Sequence, residues 1–213
     1  YKKGLNMKKI LSILLASSFL ALSANAGGMI GVKVGSGSLD GERTVDPQHG
    51  VASSNTGSVS NEYAAIFAEF SVNDMVSVGL EVVPMEGQIS TKDATSSDTT
   101  VTVSDLITAY ALVSIGDSPF YGKVGYSTVD LAVDTNYTQN TVNSFDDSAQ
   151  GPMIGLGAQF DSPIPFLDVV RVEGTYTDLG ELSITTTDTN EDATTRKGEA
   201  ELLTISLSLA KSF

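Results

Sequence analysis

The sequence predicts an all-β protein, an eight-stranded antiparallel up-and-down barrel that crosses a membrane. Apolar and polar residues alternate with a period of two in eight separate segments, which is typical of strands whose two faces meet different environments. The connections between these segments alternate between short turns and long polar stretches, as in transmembrane β-barrels whose long loops face the outside of the cell. No segment after Gly27 approaches 18 consecutive apolar residues, so a spanning helix is not expected.

The first four segments carry their apolar side chains on one face and mainly Gly, Ser, Thr, Tyr or charged residues on the other. In the fourth segment both faces are fairly apolar, and we assign the outward face to its odd-numbered residues. The segments and their apolar faces are 29–35 with Ile30, Val32 and Val34; 63–72 with Ala64, Ile66, Ala68, Phe70 and Val72; 76–82 with Val76, Val78, Leu80 and Val82; and 106–115 with Ile107, Ala109, Ala111, Val113 and Ile115.

The last four segments repeat the pattern, and the C-terminal one shows it most clearly, with Ser, Thr and Ala on its second face. The segments and their apolar faces are 120–128 with Val124 and Tyr126; 154–160 with Ile154, Leu156 and Phe160; 170–176 with Val170, Val172 and Tyr176; and 203–213 with Leu203, Ile205, Leu207, Leu209 and Phe213. A soluble barrel of the lipocalin type is the alternative, but it would bury the apolar face and expose the polar one. Here the apolar face is the continuous one.

The connections are of two kinds. Residues 73–75, 116–119 and 161–165 carry the Asn, Asp, Gly and Pro of tight turns. The other four connections each contain some 20 residues rich in Ser, Thr, Asn, Asp and Gly, and compact soluble domains rarely contain four such loops. We expect structureless loops at 36–60, 84–103, 129–150 and 178–199.

Residues 1–26 predict a cleaved export signal with its start at Met7. Lys8 and Lys9 form a basic region, residues 10–22 form an apolar region, and residues 24–26 read Ala-Asn-Ala, the small-x-small pattern that precedes cleavage. The mature chain, residues 27–213, then begins at Gly27 and forms the barrel. An N-terminal membrane anchor is the alternative, but the 13-residue apolar region is shorter than the roughly 20 residues of a spanning helix.

Charge and composition exclude several functions. The chain carries 26 acidic and 12 basic residues, and removal of the four lysines before Gly27 leaves a net charge of −18, which argues against nucleic acid as a partner. The chain has no Cys and a single His, His49, so we expect no metal site, no cofactor and no catalytic residues. The long loops hold −12 of the charge. Repulsion at a cell surface explains this, and binding of an extracellular ligand or of divalent cations is the alternative.

Six charged residues are predicted to point into the barrel, three of each sign. They are Lys33, Glu69, Glu81, Lys123, Arg171 and Glu173. The interior of an eight-stranded barrel is only wide enough for side chains, so we expect a neutral ion-pair network that plugs the lumen, with Arg171 bridging two carboxylates. The alternative is that these charges face a wet lumen. Gly125, Gly155 and Gly157 are expected to make room for the Lys and Arg stems.

The export signal, the eight strands, residues 120–126 (Phe-Tyr-Gly-Lys-Val-Gly-Tyr) and the final Phe213 together resemble the small outer-membrane β-barrels of Gram-negative bacteria, the outer-membrane-protein-A-like and opacity-type porin family. The resemblance covers the mature chain and implies a monomer in the cell outer membrane, in contact with outer-membrane lipid and lipopolysaccharide. It also implies a C-terminal signal read by the barrel-assembly machinery, formed by Ile205, Leu207, Leu209 and Phe213.

The chain departs from the family pattern at Lys211 and in its aromatic girdles. Lys211 stands where the family prefers an apolar or aromatic residue, and near the rim its ammonium group can reach the lipid headgroups. The aromatic girdles of the family contain no Trp here. Their candidates are Tyr63, Phe70, Phe120, Tyr126, Phe160, Tyr176 and Phe213.

Together these observations predict a structural and surface-interaction barrel, an antigen or adhesin with a plugged polar lumen and acidic extracellular loops. A small porin or a channel for hydrophobic solutes is the first alternative. An enzyme that modifies lipid A is the second, but it needs a base beside a hydroxyl group at the level of the membrane. His49 lies instead in the middle of the first long loop, and we expect the protein not to be an enzyme.

The export signal gives a direct prediction. When the chain is expressed in Gram-negative cells, the mass of the exported product should correspond to a chain that begins at Gly27. A product that still carries residues 10–22 would show that this segment is a membrane anchor.

Overall fold

The structure, a computed structural model, describes residues 27–45, 55–84, 87–92, 98–135, 141–187 and 193–213. The regular elements of these residues are ten antiparallel strands. They are β1 (Gly28–Val45), β2 (Asn55–Ser71), β3 (Val76–Val83), β4 (Gly87–Lys92), β5 (Asp98–Ser114), β6 (Phe120–Thr135), β7 (Thr141–Phe145), β8 (Ser148–Asp161), β9 (Val169–Thr187) and β10 (Ala193–Ser212). In the described part of the chain, no helix has the length and apolar character needed to cross a membrane.

Eight of these strands close into a barrel. Each pairs with its neighbour among the eight, and β10 pairs with both β9 and β1, so the sheet returns to its starting strand and closes. The two remaining strands are short: β4 pairs with β5 beyond the end of β3, and β7 pairs with the end of β9. The predicted fold class, an eight-stranded antiparallel up-and-down barrel, is confirmed.

At one end of the barrel, called here the short-turn end, three compact turns join the strands. In the turn of residues 72–75, the side-chain oxygen of Asn73 accepts hydrogen bonds from the backbone N–H groups of Met75 and Val76, both at 2.9 Å. In the turn of residues 115–119, Gly116 has a φ of +57°, a conformation that glycine adopts without steric cost. The third turn, residues 162–168, joins β8 to β9.

At the opposite end, called the long-strand end, the expectation of four structureless loops is wrong over the described residues. There β1 continues to Val45, β2 begins at Asn55 and β9 continues to Thr187. Residues 46–54, 93–97, 136–140 and 188–192 lie outside the described part. The reason is that a strand needs a backbone ladder and not an apolar face, and Thr-rich segments form such a ladder readily. Thr185 to Thr187 pair with Ala193 to Thr195 in this way.

The outer surface of the barrel carries the apolar faces predicted from the alternation. Leu156 and Ile205 are 70% and 68% exposed, which excludes the lipocalin-type arrangement in which such side chains fill the interior. We call this surface the apolar belt. Its members include Ile30, Val32, Val34, Ile66, Val113, Phe120, Val124, Tyr126, Ile154, Leu156, Phe160, Val172, Leu203, Ile205, Leu207 and Phe213.

Of the three glycines expected to make room for Lys and Arg stems, Gly125 faces Met153 and the Cβ of Tyr110, Gly155 faces Thr175, and Gly157 faces the Tyr121 ring. Aromatic rings cover several of the inward glycines. Four of them lie directly opposite an aromatic residue of the adjacent strand and are covered by its ring. The pairs are Gly31 with Phe67, Gly35 with Tyr63, Gly79 with Tyr110, and Gly157 with Tyr121. Tyr63 therefore packs inside the barrel, and its assignment to the outer aromatic girdle is wrong. A ring laid across the adjacent strand fills more of the lumen than a flexible charged stem would.

This packing predicts a difference between two glycines of the barrel. A Cβ at Gly31 would collide with the Phe67 ring and lie 2.7 Å from the backbone oxygen of Leu209, whereas a Cβ at Gly122 would meet nothing within 4 Å. Gly31→Ala should lower the free energy of unfolding by about 1–3 kcal/mol through overpacking, and Gly122→Ala should not lower it. Urea unfolding in lipid vesicles measures both, and equal stabilities would contradict the ring-on-glycine packing.

Candidate functional site: the barrel interior

Near the short-turn end of the lumen, Arg171 and Glu69 form a bidentate ion pair across the barrel. Arg171 Nη1 lies 2.5 Å from Glu69 Oε1, and Nη2 lies 2.7 Å from Oε2. The hydroxyl of Tyr110 donates a third hydrogen bond to Glu69 Oε1 at 2.8 Å, and Arg171 Nε donates to Gln159 Oε1 at 2.8 Å. Two parallel N–H···O bonds to an ionised group are among the strongest protein hydrogen bonds. Both side chains are at most 5% exposed.

One layer further along, four charged side chains form a ring of alternating sign. Every second strand around the barrel contributes one of them: Lys33 on β1, Glu81 on β3, Lys123 on β6 and Glu173 on β9. Lys33 Nζ lies 2.6 Å from a carboxylate oxygen of both Glu81 and Glu173. Lys123 Nζ lies 3.0 Å and 3.1 Å from the same two residues. Each charge therefore has two neighbours of opposite sign, and the four-residue ring, called here the Lys–Glu ring, is neutral.

All six predicted residues lie in the lumen, but they form two separate groups and not one network around Arg171. Arg171 was expected to bridge two carboxylates, yet both of its terminal nitrogens bind the same one, Glu69. The two lysines take the bridging position instead. The reason is geometric: a planar guanidinium matches the two oxygens of one carboxylate, whereas an ammonium group is a compact charge that can lie between two of them.

Aromatic rings surround these charges, and the sequence analysis did not assign them to the site. The Lys123 ammonium lies 4.0 Å from the centre of the Tyr110 ring. The Arg171 guanidinium lies 5.5 Å from the Tyr121 ring and 5.8 Å from the Phe67 ring, within the range of cation–π attraction. Period-two alternation places Tyr110 and Phe67 on the inward faces of their segments, beside Thr108 and Glu69, but it does not show which ring contacts which cation.

On the inner wall of the barrel, hydroxyl groups of directly paired residues on adjacent strands bind one another. Thr108 and Ser127 are joined by a hydrogen bond of 2.8 Å, and Thr175 and Thr204 by one of 2.6 Å. These bonds satisfy polar groups that would otherwise be buried without a partner.

Apolar side chains occupy both ends of the interior. At the long-strand end, a cluster called here the apolar layer contains Val129, Leu131, Ala149, Leu179 and Ala200, with Leu39, Leu106, Leu182 and Leu202 packed against it. At the short-turn end, Phe67, Val169 and Ala210 pack together with Met29. The sequence analysis missed the apolar layer because most of its residues lie in segments assigned to loops. The charged groups are thus enclosed on both sides by apolar packing.

Acidic side chains at the long-strand end face outward and bind neighbouring groups. Asp146 accepts hydrogen bonds from the backbone N–H and the hydroxyl of Ser183, both at 2.8 Å, and these bonds lower the pKa of Asp146. Lys197 Nζ lies 2.7 Å from a carboxylate oxygen of Glu181. Both members of that pair are about half exposed, so its contribution to stability is small.

The residues of the predicted assembly signal lie on the outer face of β10, where Ile205, Leu207 and Phe213 are about half exposed or more. Phe213 also closes the barrel, because its backbone exchanges two hydrogen bonds with Gly28, at 2.9 and 3.0 Å. Lys211 does not project freely: its Nζ lies 2.9 Å from Asp168 Oδ1 and lowers the pKa of that carboxyl group.

The single His of the sequence is His49. His49 lies outside the described residues. Within the described ranges, no group of three or more His, Cys, Asp or Glu residues is arranged to hold a metal ion.

No family model matches the chain, and no curated protein matches it either. Solved structures that are similar in fold include two outer membrane proteins. The outer membrane protein OprG from Pseudomonas aeruginosa is 14% identical with a TM-score of 0.57, and the match covers 87% of this chain and 96% of OprG. The outer membrane protein AlkL, solved in lipid bilayers, is 15% identical with a TM-score of 0.59, and the match covers 89% of this chain and 91% of AlkL. The chain has the fold of small eight-stranded outer-membrane β-barrels, as the sequence resemblance implied.

The Arg171–Glu69 pair can be tested by mutation. Arg171→Ala leaves the Glu69 carboxylate buried without its ionic partner and should lower the free energy of unfolding by about 3–5 kcal/mol. Arg171→Lys should recover only part of this loss, because an ammonium group cannot form the bidentate contact. The double variant Arg171→Met/Glu69→Gln should be more stable than Arg171→Ala, because it leaves no unpaired charge.

Urea unfolding in lipid vesicles measures these variants. If Arg171→Ala loses only about 0–1 kcal/mol, the pair behaves like one exposed to solvent, and the lumen is wet.

Proposed function

We propose that this protein is a monomeric barrel of the bacterial outer membrane whose lumen is closed, and that it acts by presenting its acidic long-strand end at the cell surface as an antigen or adhesin. The observation that carries the proposal is the filled interior: the Lys–Glu ring and the Arg171–Glu69 pair are neutral, and apolar packing encloses them. A lumen filled in this way leaves no continuous aqueous path for a solute.

The position in the membrane is supported by the apolar belt and by the closed sheet. On β10 the belt extends from Leu203 to Phe213, ten residues apart, and a tilted strand of about 10 residues spans the hydrocarbon core. A closed sheet pairs the backbone groups of every strand, which a bilayer requires because lipid tails offer them no hydrogen bonds.

The polar surface beyond the belt supports a role in surface contact. The strands of the long-strand end carry outward-facing acidic residues, among them Asp178, Glu181, Glu199 and Glu201. Such a surface repels other anionic surfaces and favours a cationic ligand, including a divalent cation, over an anionic one. We also propose that the protein is not an enzyme, because the ionised groups of the described interior are engaged with one another.

A channel for hydrophobic solutes is the second candidate, and one observation favours it. The apolar layer offers a hydrophobic surface inside the long-strand end, which an apolar solute could contact. To leave at the short-turn end, however, that solute would have to pass the Lys–Glu ring, whose side chains are at most 12% exposed.

Conductance in planar bilayers separates these candidates. The purified chain should show no steady, water-filled conductance, and vesicles that contain it should take up a fluorescent fatty acid no faster than protein-free vesicles. Steady conductance would favour the porin alternative, and accelerated uptake would favour the hydrophobic channel.

The assembly signal gives a matched pair of variants. Deletion of Phe213 removes the two hydrogen bonds with Gly28 that close the barrel, together with the terminal aromatic group offered to the barrel-assembly machinery. It should strongly reduce the fraction of chain whose gel mobility changes on boiling, which is the signature of a folded barrel. His49→Ala should leave this fraction unchanged. Equal behaviour of the two variants would contradict the assigned role of Phe213.

A further inference from the structure

The turn of residues 162–168, called here the β8–β9 turn, differs in chemistry from the other two turns at the short-turn end. Its sequence is Ser-Pro-Ile-Pro-Phe-Leu-Asp, with apolar residues at its centre. The other two turns have polar centres, Asn73–Asp74 and Asp117–Ser118, and their exposed apolar residues Val72, Met75 and Ile115 lie at the turn ends. Turns that face water are generally built from polar residues. An apolar turn at the end of a barrel therefore needs an environment other than water.

Phe166 is the most exposed large apolar side chain of the described residues, at 89%, and Ile164 is 44% exposed. Phe166 also has a φ of +76°, a conformation that bulky residues rarely adopt. Such a conformation persists only where the surrounding structure fixes it. The turn thus holds an aromatic ring away from the packed side chains of the barrel.

Hydrogen bonds fix the turn at both of its ends. The N–H of Ser162 donates to the backbone oxygen of Asp168 at 2.9 Å, and the N–H of Leu167 donates to that of Ile164 at 3.2 Å. The Asp168 N–H donates to the backbone oxygen of Ala210 at 2.9 Å.

The Asp168 carboxylate ties the turn to the last residues of β10. One oxygen accepts from Lys211 Nζ at 2.9 Å, and the other accepts from the N–H of Ser212 at 2.8 Å. The exposure of Phe166 is therefore a built feature of the fold and not the result of a loosely held loop.

The apolar surface of the turn continues the apolar belt. Phe160 and Val170 are cross-strand partners one residue pair from the turn, on strands whose outward faces belong to the belt. Phe213 on the adjacent β10 is half exposed at the same end. Aromatic rings are favoured at the boundary between headgroups and acyl chains, and the ammonium group of Lys211, half exposed beside Asp168, matches the anionic phosphates of that region.

We propose that the β8–β9 turn is an anchor at the membrane interface, which inserts Ile164 and Phe166 into the headgroup–acyl boundary of the leaflet at the short-turn end. The proposal rests on the position in a bilayer argued under the proposed function. The anchor fixes the depth and tilt of the barrel on the side where β8, β9 and β10 meet. The polar centres of the other two turns, Asn73–Asp74 and Asp117–Ser118, remain in water.

The absence of Trp from the sequence makes Phe166→Trp a single fluorescent reporter. The full mature chain is folded into phosphatidylcholine vesicles with and without brominated lipid, beside two control variants. Phe120→Trp reports from the belt, and Asp147→Trp reports from an exposed position at the long-strand end. Phe166→Trp should match Phe120→Trp: short-wavelength emission, strong quenching by brominated lipid and weak quenching by acrylamide.

The two controls distinguish failure of this proposal from failure of the proposed function. If Phe166→Trp behaves like Asp147→Trp while Phe120→Trp is quenched by brominated lipid, the barrel is in the membrane but the turn faces water, and the anchor is overturned. If Phe120→Trp is not quenched either, the barrel is not in the bilayer, and both proposals fail.

A second reporter covers the case in which Phe166→Trp does not fold. Because the chain contains no Cys, Ile164→Cys offers one site for an environment-sensitive fluorophore. Emission typical of an apolar environment in vesicles supports the anchor, and emission typical of water overturns it.

Discussion

The constraint on which the rest of this structure depends is charge neutrality inside a narrow barrel. Eight strands enclose only enough space for side chains, so an ionised group in the lumen must find its counter-charge from the opposite wall. The Lys–Glu ring meets this requirement with one residue from every second strand, and Arg171 and Glu69 meet it as a separate pair. Both groups are neutral. An unpaired charge in such a space would cost several kcal/mol, so each of the six residues depends on the partners within its own neutral group.

The second constraint is that the polar groups of this fold lie inside and the apolar groups lie outside. Water drives apolar side chains into the interior of a soluble barrel, whereas the apolar belt here faces outward. Between the apolar clusters at its two ends, the interior is packed by rings on glycines, by hydrogen-bonded hydroxyl groups and by ion pairs. The rings of Phe67, Tyr110 and Tyr121 serve two purposes. They fill the space above Gly31, Gly79 and Gly157, and they contact the cations of the charged groups.

Much of this arrangement could be predicted from the sequence, because period-two alternation fixes which residues share a face. It identified the belt and the six interior charges. It could not assign the partners within the lumen, since pairing depends on strand order and height. It expected Arg171 to bridge two carboxylates, whereas Arg171 binds Glu69 alone and the two lysines act as the bridging groups. It also assigned Val129, Leu131 and Leu179 to loops, because the ladders at the long-strand end lack a continuous apolar face. The environment of His49 and the export signal remain predictions from sequence.

The claim most central to this account is that the lumen is closed to water, and the lysines of the chain allow it to be measured directly. Lys33 and Lys123 are 2% exposed in the lumen, whereas Lys197 and Lys211 are 56% and 52% exposed outside it. The folded barrel in vesicles open to both sides is treated with a small water-soluble amine reagent, and mass spectrometry locates the modified lysines. The account predicts modification of Lys197 and Lys211, and of Lys33 and Lys123 only after unfolding. Equal modification of all four in the folded barrel would contradict it.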